Sequence, residues 1–430
     1  MTRYETADNP VLEPVSTDTF MQTFWERQPL HVDRQQPGYF ASLLSSERIE
    51  RLLSSLPFRF PDAQLVRAEE PVATEHYLDE SGKVLPLRFL QHHHDGATIV
   101  LSQLHQRVEG LATLCRRMQA VLDMSCQANA YLSPAAQQGF NPHYDAHDVF
   151  ILQVEGSKTF QFYAGGPELP LRSDTFDASI HYPGAATERV TLQAGDTLYI
   201  PRGVMHDART TDNLRSLHIT LGVTPDTLLA TLQEALSAAA TDEIALRRAV
   251  TDRSLTGLSP AGLSPAGPSP AGPSPAGLSP AGLATSADTA TNSARGDNES
   301  PSEISSILAS VFSPESLLAA ARRLRARRTL QTTPDCVGLV SRLAALDQLT
   351  SSSRVTCRAD AWLAIEIDDD ALLLQTPGQT LRFQGAMARA VKALHTSRQL
   401  AVDEIPHVDE EQRLALCRLL VRENLLELSP

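Results

Sequence analysis

One short motif in the middle of the chain combines a histidine and a carboxylate at a spacing suited to metal binding. His143 and Asp145 are two residues apart, and on an extended segment such residues project to the same side of a sheet. His206 follows the turn after the apolar run 197–200, where a neighbouring strand could bring its imidazole to the same ion. Two imidazoles and one carboxylate leave positions open for a bidentate co-substrate and O2, as in non-haem Fe(II) oxygenases. The alternative is a set of polar residues at a barrel mouth.

The His-x-Asp spacing does not identify this site by itself, because it recurs along the chain. It occurs four times, at His31/Asp33, His93/Asp95, His143/Asp145 and His407/Asp409. The first pair lies near a predicted helix, the second lies in a polar stretch that predicts an exposed loop, and Asp409 is a natural N-cap for a predicted helix. The third pair adjoins predicted strands and has a partner histidine in a second strand-turn element, so the context favours it.

A lysine close to this motif suggests a binding site for an anion. Lys158 comes fifteen residues after His143, at the start of the return strand of a predicted hairpin over 149–163, among phenylalanines. We expect this cation to lie near the barrel interior, where an unpaired ammonium is costly. A dicarboxylate that chelates the metal at one end and meets Lys158 at the other would supply the anion. A surface lysine beside a turn is the alternative.

Alternating apolar residues predict the strands that would carry these groups. Five strands are predicted, at 126–132, 149–154, 159–163, 197–200 and 215–223. Short strands separated by turns, without helices between them, indicate an antiparallel sandwich or barrel.

The remainder of the chain divides at a low-complexity tract. Between residues 255 and 302, Pro-Ala-Gly recurs every five residues, which predicts a semi-extended, solvated linker. Leucines at helical spacing predict helices over 225–248 and 316–328, on the two sides of the tract. The last segment, 334–430, has the pattern of helices with short apolar strands, which suggests a winged-helix-like module.

Charge and composition limit the possible partners and the location of the protein. The 37 basic and 51 acidic residues give a net charge of −14, which argues against direct nucleic-acid binding and favours a basic partner. The sequence shows no apolar leader and no apolar run long enough for a membrane span, so neither is expected. The five cysteines are scattered and form no recognisable disulfide or zinc pattern, so we expect a reducing compartment, the cytoplasm.

Several segments together resemble the JmjC-type cupin oxygenases of the ribosomal-oxygenase family. The segments are FWERQPL at 24–30, NAYLSP at 129–134, GFNPHYDAHDVFILQVEGSK at 139–158 and GDTLYIPRG at 195–203, which leads to His206. The resemblance spans roughly residues 20 to 225, and the motifs occur in the family's order.

This resemblance implies a fold and a domain order. It implies a mainly β double-stranded β-helix, the JmjC/cupin oxygenase domain, over 1–224, then an all-α dimerisation module over 225–254 and 303–333. A winged-helix-like α+β domain over 334–430 would follow. The Pro-Ala-Gly tract, 255–302, departs from the family pattern because it interrupts the helical module. A homodimer is the expected assembly.

The resemblance also implies the roles of individual residues. His143, Asp145 and His206 would bind Fe(II), and Lys158 would pair with the distal carboxylate of the co-substrate 2-oxoglutarate. Asn129 is a weaker candidate for the same co-substrate; the alternative is a strand residue whose polar atoms are satisfied by the backbone.

The activity implied by the resemblance is hydroxylation of a protein side chain. Oxidative decarboxylation of 2-oxoglutarate by O2 would be coupled to hydroxylation of a basic partner, a ribosomal protein. Two alternatives remain open: an N-methyl-lysine demethylase, which would release formaldehyde, and a non-catalytic scaffold or regulator.

Overall fold

A computed structural model gives the architecture of most of the chain. It describes residues 9–68, 70–211, 214–247, 301–332, 334, 336–358, 364–368 and 371–429. The described residues of 9–226 and 325–429 form one compact unit, and those of 227–324 form another. The predicted linker lies outside the described residues except at its end, where a helix begins at Pro301.

The first unit contains the antiparallel β structure that the sequence predicts. Its first ten strands are β1 Leu30–Val32, β2 Ala63–Val66, β3 Thr98–Leu101, β4 Ser125–Ser133, β5 Asp148–Glu155, β6 Ser157–Tyr163, β7 Ala186–Gln193, β8 Thr197–Ile200, β9 His206–Thr210 and β10 Ser216–Thr224. A seven-stranded sheet has the order β1-β8-β5-β10-β4-β3-β2, and a three-stranded sheet has the order β7-β6-β9. All of these strand pairs are antiparallel, so the predicted β fold is confirmed.

Strand β5 is buried on both faces, because it lies between two hydrophobic cores. Val149 and Ile151 pack with Phe160 and Phe162 of the smaller sheet. The alternate residues, such as Phe150, belong to the larger core that includes the N-terminal helices. The alternating residues of this strand therefore face two different hydrophobic cores, and neither set faces solvent.

Helices cover the larger sheet, form the second unit and complete the C-terminal part. They are α1 Thr17–Thr23, α2 Ser46–Ser55, α3 Pro86–His94, α4 Glu109–Leu122, α5 Leu228–Asp242, α6 Pro301–Val311, α7 Pro314–Gln331, α8 Leu339–Ala345, α9 Gly385–Ser397 and α10 Glu410–Arg422. The predicted helices on both sides of the tract are confirmed as α5 and α7. The N-cap is confirmed as well: the side chain of Asp409 accepts a hydrogen bond from the Gln412 N–H at 2.9 Å.

One local prediction is wrong. The stretch around His93 is not a loop but the last turn of α3. The helix begins with Pro86 at its first turn and buries Phe89, and these two signals outweigh the polar run of histidines that follows.

The C-terminal part of the first unit has its own sheets and core. Its strands are β11 Arg354–Cys357, β12 Ala364–Asp368, β13 Ala371–Thr376, β14 Gln379–Gln384, β15 Gln399–Ala401 and β16 Leu426–Ser429. They form two antiparallel three-stranded sheets, β15-β11-β16 and β12-β13-β14. A separate hydrophobic core includes Val355, Leu374, Val391 and Leu420. Within the described part of the chain, no helix has the length and apolarity needed to cross a membrane.

Candidate metal centre and co-substrate pocket

The structure brings together the three residues that the sequence singled out. The potential ligand atoms of His143, Asp145 and His206 all lie within 4.8 Å of one another. His206 is buried, whereas the other two are partly exposed. The closest approach of the carboxylate to an imidazole is 4.0 Å, from Asp145 Oδ2 to His206 Nε2. One ion could therefore contact all three side chains.

Main-chain hydrogen bonds hold the two histidines opposite each other. The His143 N–H donates to the His206 carbonyl at 3.0 Å, and the His206 N–H donates to the His143 carbonyl at 2.8 Å. This bridge attaches the segment before β5 to β9 and leaves the two ring centroids 4.8 Å apart. The convergence thus depends on antiparallel pairing between distant segments.

Both imidazoles are oriented in the same way by backbone carbonyls. His143 Nδ1 lies 2.9 Å from the Asn141 carbonyl, and His206 Nδ1 lies 2.9 Å from the Val204 carbonyl. A carbonyl can only accept, so each Nδ1 carries a hydrogen, and in the neutral imidazole this leaves the Nε2 lone pair free to bind a metal. Burial, followed by the neighbouring His143, lowers the pKa of His206 to about 4, so His206 is neutral near pH 7.

Lys158 is buried inside the barrel, so the surface-lysine alternative is wrong. Its side chain lies on the same face of β6 as Phe160 and Phe162, and the residue is only 4% exposed. Its ammonium donates to Ser133 Oγ at 3.0 Å, and that hydroxyl also accepts from Thr98 Oγ1. Burial lowers the pKa of Lys158 to about 7. In the described part of the chain, Lys158 forms no ion pair with a carboxylate.

A pair of stacked aromatic rings belongs to the same region as the ligand candidates and the lysine. Tyr131 of β4 and His218 of β10 are directly opposed, and their rings stack at a centroid distance of 4.8 Å. Burial and then the charge of Asp145 raise the pKa of Tyr131, whereas burial and then the charge of Lys158 lower the pKa of His218. The charge of the candidate ligand Asp145 thus affects Tyr131, and the charge of Lys158 affects His218.

His218 is a polar residue of the site that the sequence analysis missed. Its Nδ1 is buried without a hydrogen-bond partner among the described residues. A signal was available, because His218 interrupts the otherwise mostly apolar strand β10. A histidine in a strand buried along almost its whole length needs a partner, and here the described protein supplies none to Nδ1.

Asn129 is on the same strand as Tyr131 but has a backbone partner. Its Oδ1 accepts a hydrogen bond from the Gln103 N–H at 3.0 Å, and the residue is half-buried. This contact matches the structural alternative given for Asn129. A role in co-substrate binding stays a prediction.

A cavity of about 650 Å³ opens beside the ligand candidates. Phe140, Tyr144 and Phe176 contribute aromatic walls, and Gln127 and Thr224 add polar groups. Phe176 belongs to the connection between β6 and β7, and its ring centroid lies 6.3 Å from that of His143. The Tyr144 hydroxyl donates to the Asp174 carbonyl of the same connection at 3.2 Å. The cavity is large enough for a side chain of another protein.

The region that contains the site is similar to a known protein family. Residues 102–230 match the family model described as the JmjC domain, and this range includes all three ligand candidates and Lys158. This chain contains a JmjC domain. Strands β4 to β10 of the barrel lie within it.

Curated relatives of this JmjC domain have a name that states two activities. A protein of Culex quinquefasciatus, named bifunctional lysine-specific demethylase and histidyl-hydroxylase NO66, is 33% identical over 249 residues, which are 56% of this chain and 38% of that protein. A Drosophila mojavensis protein of the same name is 33% identical over 230 residues, 53% of this chain and 26% of that protein. The chain thus spans less than two fifths of the length of these two relatives.

Solved structures share the fold of this chain over almost its whole length. The X-ray structure of Escherichia coli ycfD has a TM-score of 0.54 at 14% identity, with 96% of this chain and 98% of that chain covered. A structure titled YcfD, a ribosomal oxygenase from Escherichia coli, in complex with cobalt and 2-oxoglutarate, has a TM-score of 0.51 at 16% identity, with 97% and 99% covered.

Proposed function

We propose that this protein is an Fe(II)- and 2-oxoglutarate-dependent protein hydroxylase. The observation that carries the proposal is the convergence of two oriented imidazoles and a carboxylate beside a buried lysine. A metal ion would account for the convergence of the imidazoles and the carboxylate, and a dicarboxylate bound to that ion would account for the buried lysine. The curated relatives named hydroxylases and demethylases support the same class of reaction.

The chemistry of the three donors fits ferrous iron. Two neutral nitrogen donors and one carboxylate oxygen on one side of an ion form the facial arrangement of non-haem iron oxygenases, with positions left open on the other side. His143, Asp145 and His206 would hold the metal, and Asp145 would supply the negative charge. The cavity lies beside these residues, so the open positions would be accessible to substrate.

The interior of the barrel fits 2-oxoglutarate. A buried ammonium is costly without an anion, and among the described residues Lys158 hydrogen-bonds to the Ser133 hydroxyl and to no carboxylate. The distal carboxylate of 2-oxoglutarate would pair with Lys158 and accept from Ser133. The charge of Lys158 acts on His218, whose Nδ1 is unpartnered among the described residues, and the charge of Asp145 acts on Tyr131, so these two stacked rings would line the path of the co-substrate.

When bound, iron and 2-oxoglutarate would supply the oxidising chemistry that inserts one oxygen atom of O2 into a C–H bond. The chain's own residues position and shield this chemistry. The aromatic walls at Phe140, Tyr144 and Phe176 would exclude water and hold the target side chain close to the metal. The backbone carbonyls of Asn141 and Val204 would keep both imidazoles in the binding tautomer.

We propose a ribosomal protein as the substrate. Ribosomal proteins are basic, and the net charge of −14 would accelerate their encounter with this chain. The similar Escherichia coli protein is described as a ribosomal oxygenase. Mass spectrometry of ribosomal proteins from cells with and without the gene tests this proposal. We expect one peptide to gain one oxygen atom, and the gain to disappear in a His143→Ala strain.

The names of the relatives favour one second candidate, an N-methyl-lysine demethylase. A hydroxylated N-methyl group breaks down and releases formaldehyde, so demethylation and stable hydroxylation give different products. Incubating the iron-loaded protein with methylated and unmethylated peptides separates them. Formaldehyde that depends on His206 would favour the demethylase, whereas a stable gain of one oxygen atom would favour the hydroxylase.

We further propose that the second unit mediates a homodimer. Large apolar side chains of this unit are exposed, and their burial in an interface would be favourable. They are Leu228, Leu229, Ile244, Leu308, Phe312 and Leu318. Light scattering of the full chain tests this proposal. The wild type should have twice the mass of one chain, and a Leu228→Asp, Phe312→Asp variant should have the mass of one.

We also propose a domain organisation, a fold for the C-terminal part and a location in the cell. The domain ranges 1–224, 225–254 with 303–333, and 334–430 are proposed, as are a winged-helix-like fold for the last range and a cytoplasmic location. The helices and small antiparallel sheets of the C-terminal part are compatible with that fold. Cell fractionation tests the location.

A further inference from the structure

One tight turn is bonded to both segments that carry the candidate metal ligands. It spans residues 201–204 and joins β8 to β9. The Gly203 N–H donates to the Asp145 carbonyl at 2.9 Å. The Val204 carbonyl accepts from His206 Nδ1, also at 2.9 Å. The turn thus fixes the main chain of one candidate ligand and the ring of another.

Arg202 in this turn is buried between two carboxylates. It is 7% exposed, and its Nη1 donates to Asp148 Oδ2 at 2.9 Å and lies 2.5 Å from Glu26 Oε1. A guanidinium can hold two acceptors at once because its donors are fixed in a plane. The side chain of Arg202 therefore joins the segment after α1 to the start of β5.

Asp148 completes the clamp on the turn. Its Oδ1 accepts from the Tyr199 hydroxyl at 2.7 Å and from the Arg202 main-chain N–H at 3.4 Å. The same carboxylate thus holds β8 and the turn that follows it. Asp148 is fully buried, and it comes only three residues after Asp145.

We propose that Arg202 is a positioning residue for the metal centre: clamped by Asp148 and Glu26, it holds the turn that orients the Asp145 carboxylate and the His206 imidazole. The inference rests on the proposed function, because it takes these two residues to be metal ligands. Arg202 is neither one of the three candidate ligands nor a lining residue of the cavity beside them. Groups that orient ligands in this way affect metal affinity without contacting the ion.

A half-buried arginine, Arg34, provides a control, because it stabilises the other end of the same strand. Arg34 Nη1 donates to Thr197 Oγ1 at 2.7 Å and to the Gly195 carbonyl at 3.2 Å. Its Nη2 donates to the Pro10 and Val11 carbonyls. These contacts join the N-terminal segment to β8 without reaching the turn 201–204. A purely structural role would affect both arginines alike.

Anaerobic titration of the full-length apoprotein with Co(II) tests the proposal without any substrate. We expect Arg202→Gln and Asp148→Asn to weaken Co(II) binding about 10- to 100-fold and to alter the visible spectrum of the bound Co(II). Arg202→Lys should restore only part of the affinity, because one ammonium cannot reproduce the planar fork. Arg34→Gln should lower the Tm of the apoprotein but leave Co(II) affinity and spectrum unchanged.

Unchanged Co(II) affinity and spectrum in a folded Arg202→Gln protein would overturn the proposal, and so would an equal loss of affinity in Arg34→Gln. If Arg202→Gln does not fold, Tyr199→Phe replaces it, since this variant removes one hydroxyl from the clamp and keeps the ring. Tyr199→Phe should then bind Co(II) more weakly than Arg34→Gln does, and equal affinity would overturn the proposal. A wild-type protein that binds no Co(II) would refute the proposed function itself, and the inference with it.

Discussion

Two regions of this molecule have the same His-x-Asp spacing but lie in different structures. His143 and Asp145 precede β5, and antiparallel pairing with β9 brings His206 to them. His93 and Asp95 lie at the end of α3, where His93 Nδ1 bonds to the Ala97 carbonyl at 2.8 Å. Spacing supplies two potential ligands in both regions. The strand pairing supplies a third ligand in only one of these two.

The largest difference between the two regions should appear when one carboxylate is neutralised. Asp145→Asn removes the only negative charge of the proposed ligand set and should abolish decarboxylation of 2-oxoglutarate, a loss of at least about 100-fold. Assays of succinate formation with the iron-loaded protein measure it. Asp95→Asn is the matched control and should keep wild-type activity. Equal activity of the two variants would remove the distinction between the regions.

Lys158, on β6, is a further difference between the two regions. It belongs to the region of His143 and Asp145, and the region of His93 and Asp95 has no such buried cation among the described residues. Lys158→Ala removes the buried cation and should raise the KM for 2-oxoglutarate by about 10- to 100-fold, because a charge-assisted contact is lost. The affinity for the metal should stay close to that of the wild type. Lys392→Ala, on the exposed side of α9, is the control. If the KM did not change, the co-substrate would not bind at Lys158.

The protonation of Lys158 should make co-substrate binding depend on pH. Burial lowers its pKa to about 7, so the free protein loses the ammonium as the pH rises above that value. An anion prefers the charged form, so the KM for 2-oxoglutarate should be constant below about pH 7 and rise above it by up to about tenfold per pH unit. In Lys158→Arg the guanidinium stays charged and the rise should disappear. The same rise in both proteins would assign it to another group.

The smallest effect is expected for the histidine of the α3 region. His93→Ala removes the hydrogen bond to the Ala97 carbonyl and should lower the free energy of unfolding by about 1 kcal/mol. Urea denaturation measures this change. Decarboxylation of 2-oxoglutarate should remain at the wild-type rate, and a large loss would place His93 in the site.

Much of the barrel could be predicted from the sequence, because its central strands are apolar and bounded by turns. Strands β4, β5, β6, β8 and β10 lie within a few residues of the predicted ranges. Strands β7 and β9 could not be found in this way. Most residues of β7 are exposed, and β9, His206–Thr210, is polar, so neither has the apolar alternation of a half-buried strand.

The candidate site could be predicted only in part, for a related reason. The local motif around His143 indicates two ligands, but the distance to His206 depends on pairing between segments about 60 residues apart. Arg202 falls in the turn predicted after residues 197–200, and nothing local indicates its two carboxylate partners, since they come from other segments. The polar lining of a barrel is assembled from many strands, and no short window of sequence contains it.

A diffraction experiment on Co(II)-loaded crystals would show whether His143, Asp145 and His206 bind one metal ion. Anomalous scattering locates the metal independently of any assay. We expect one strong peak within roughly 2.0–2.2 Å of His143 Nε2, His206 Nε2 and an oxygen of Asp145. A Co(II) peak bound by other residues, or no peak among these three side chains in crystals of protein that binds Co(II), would contradict it.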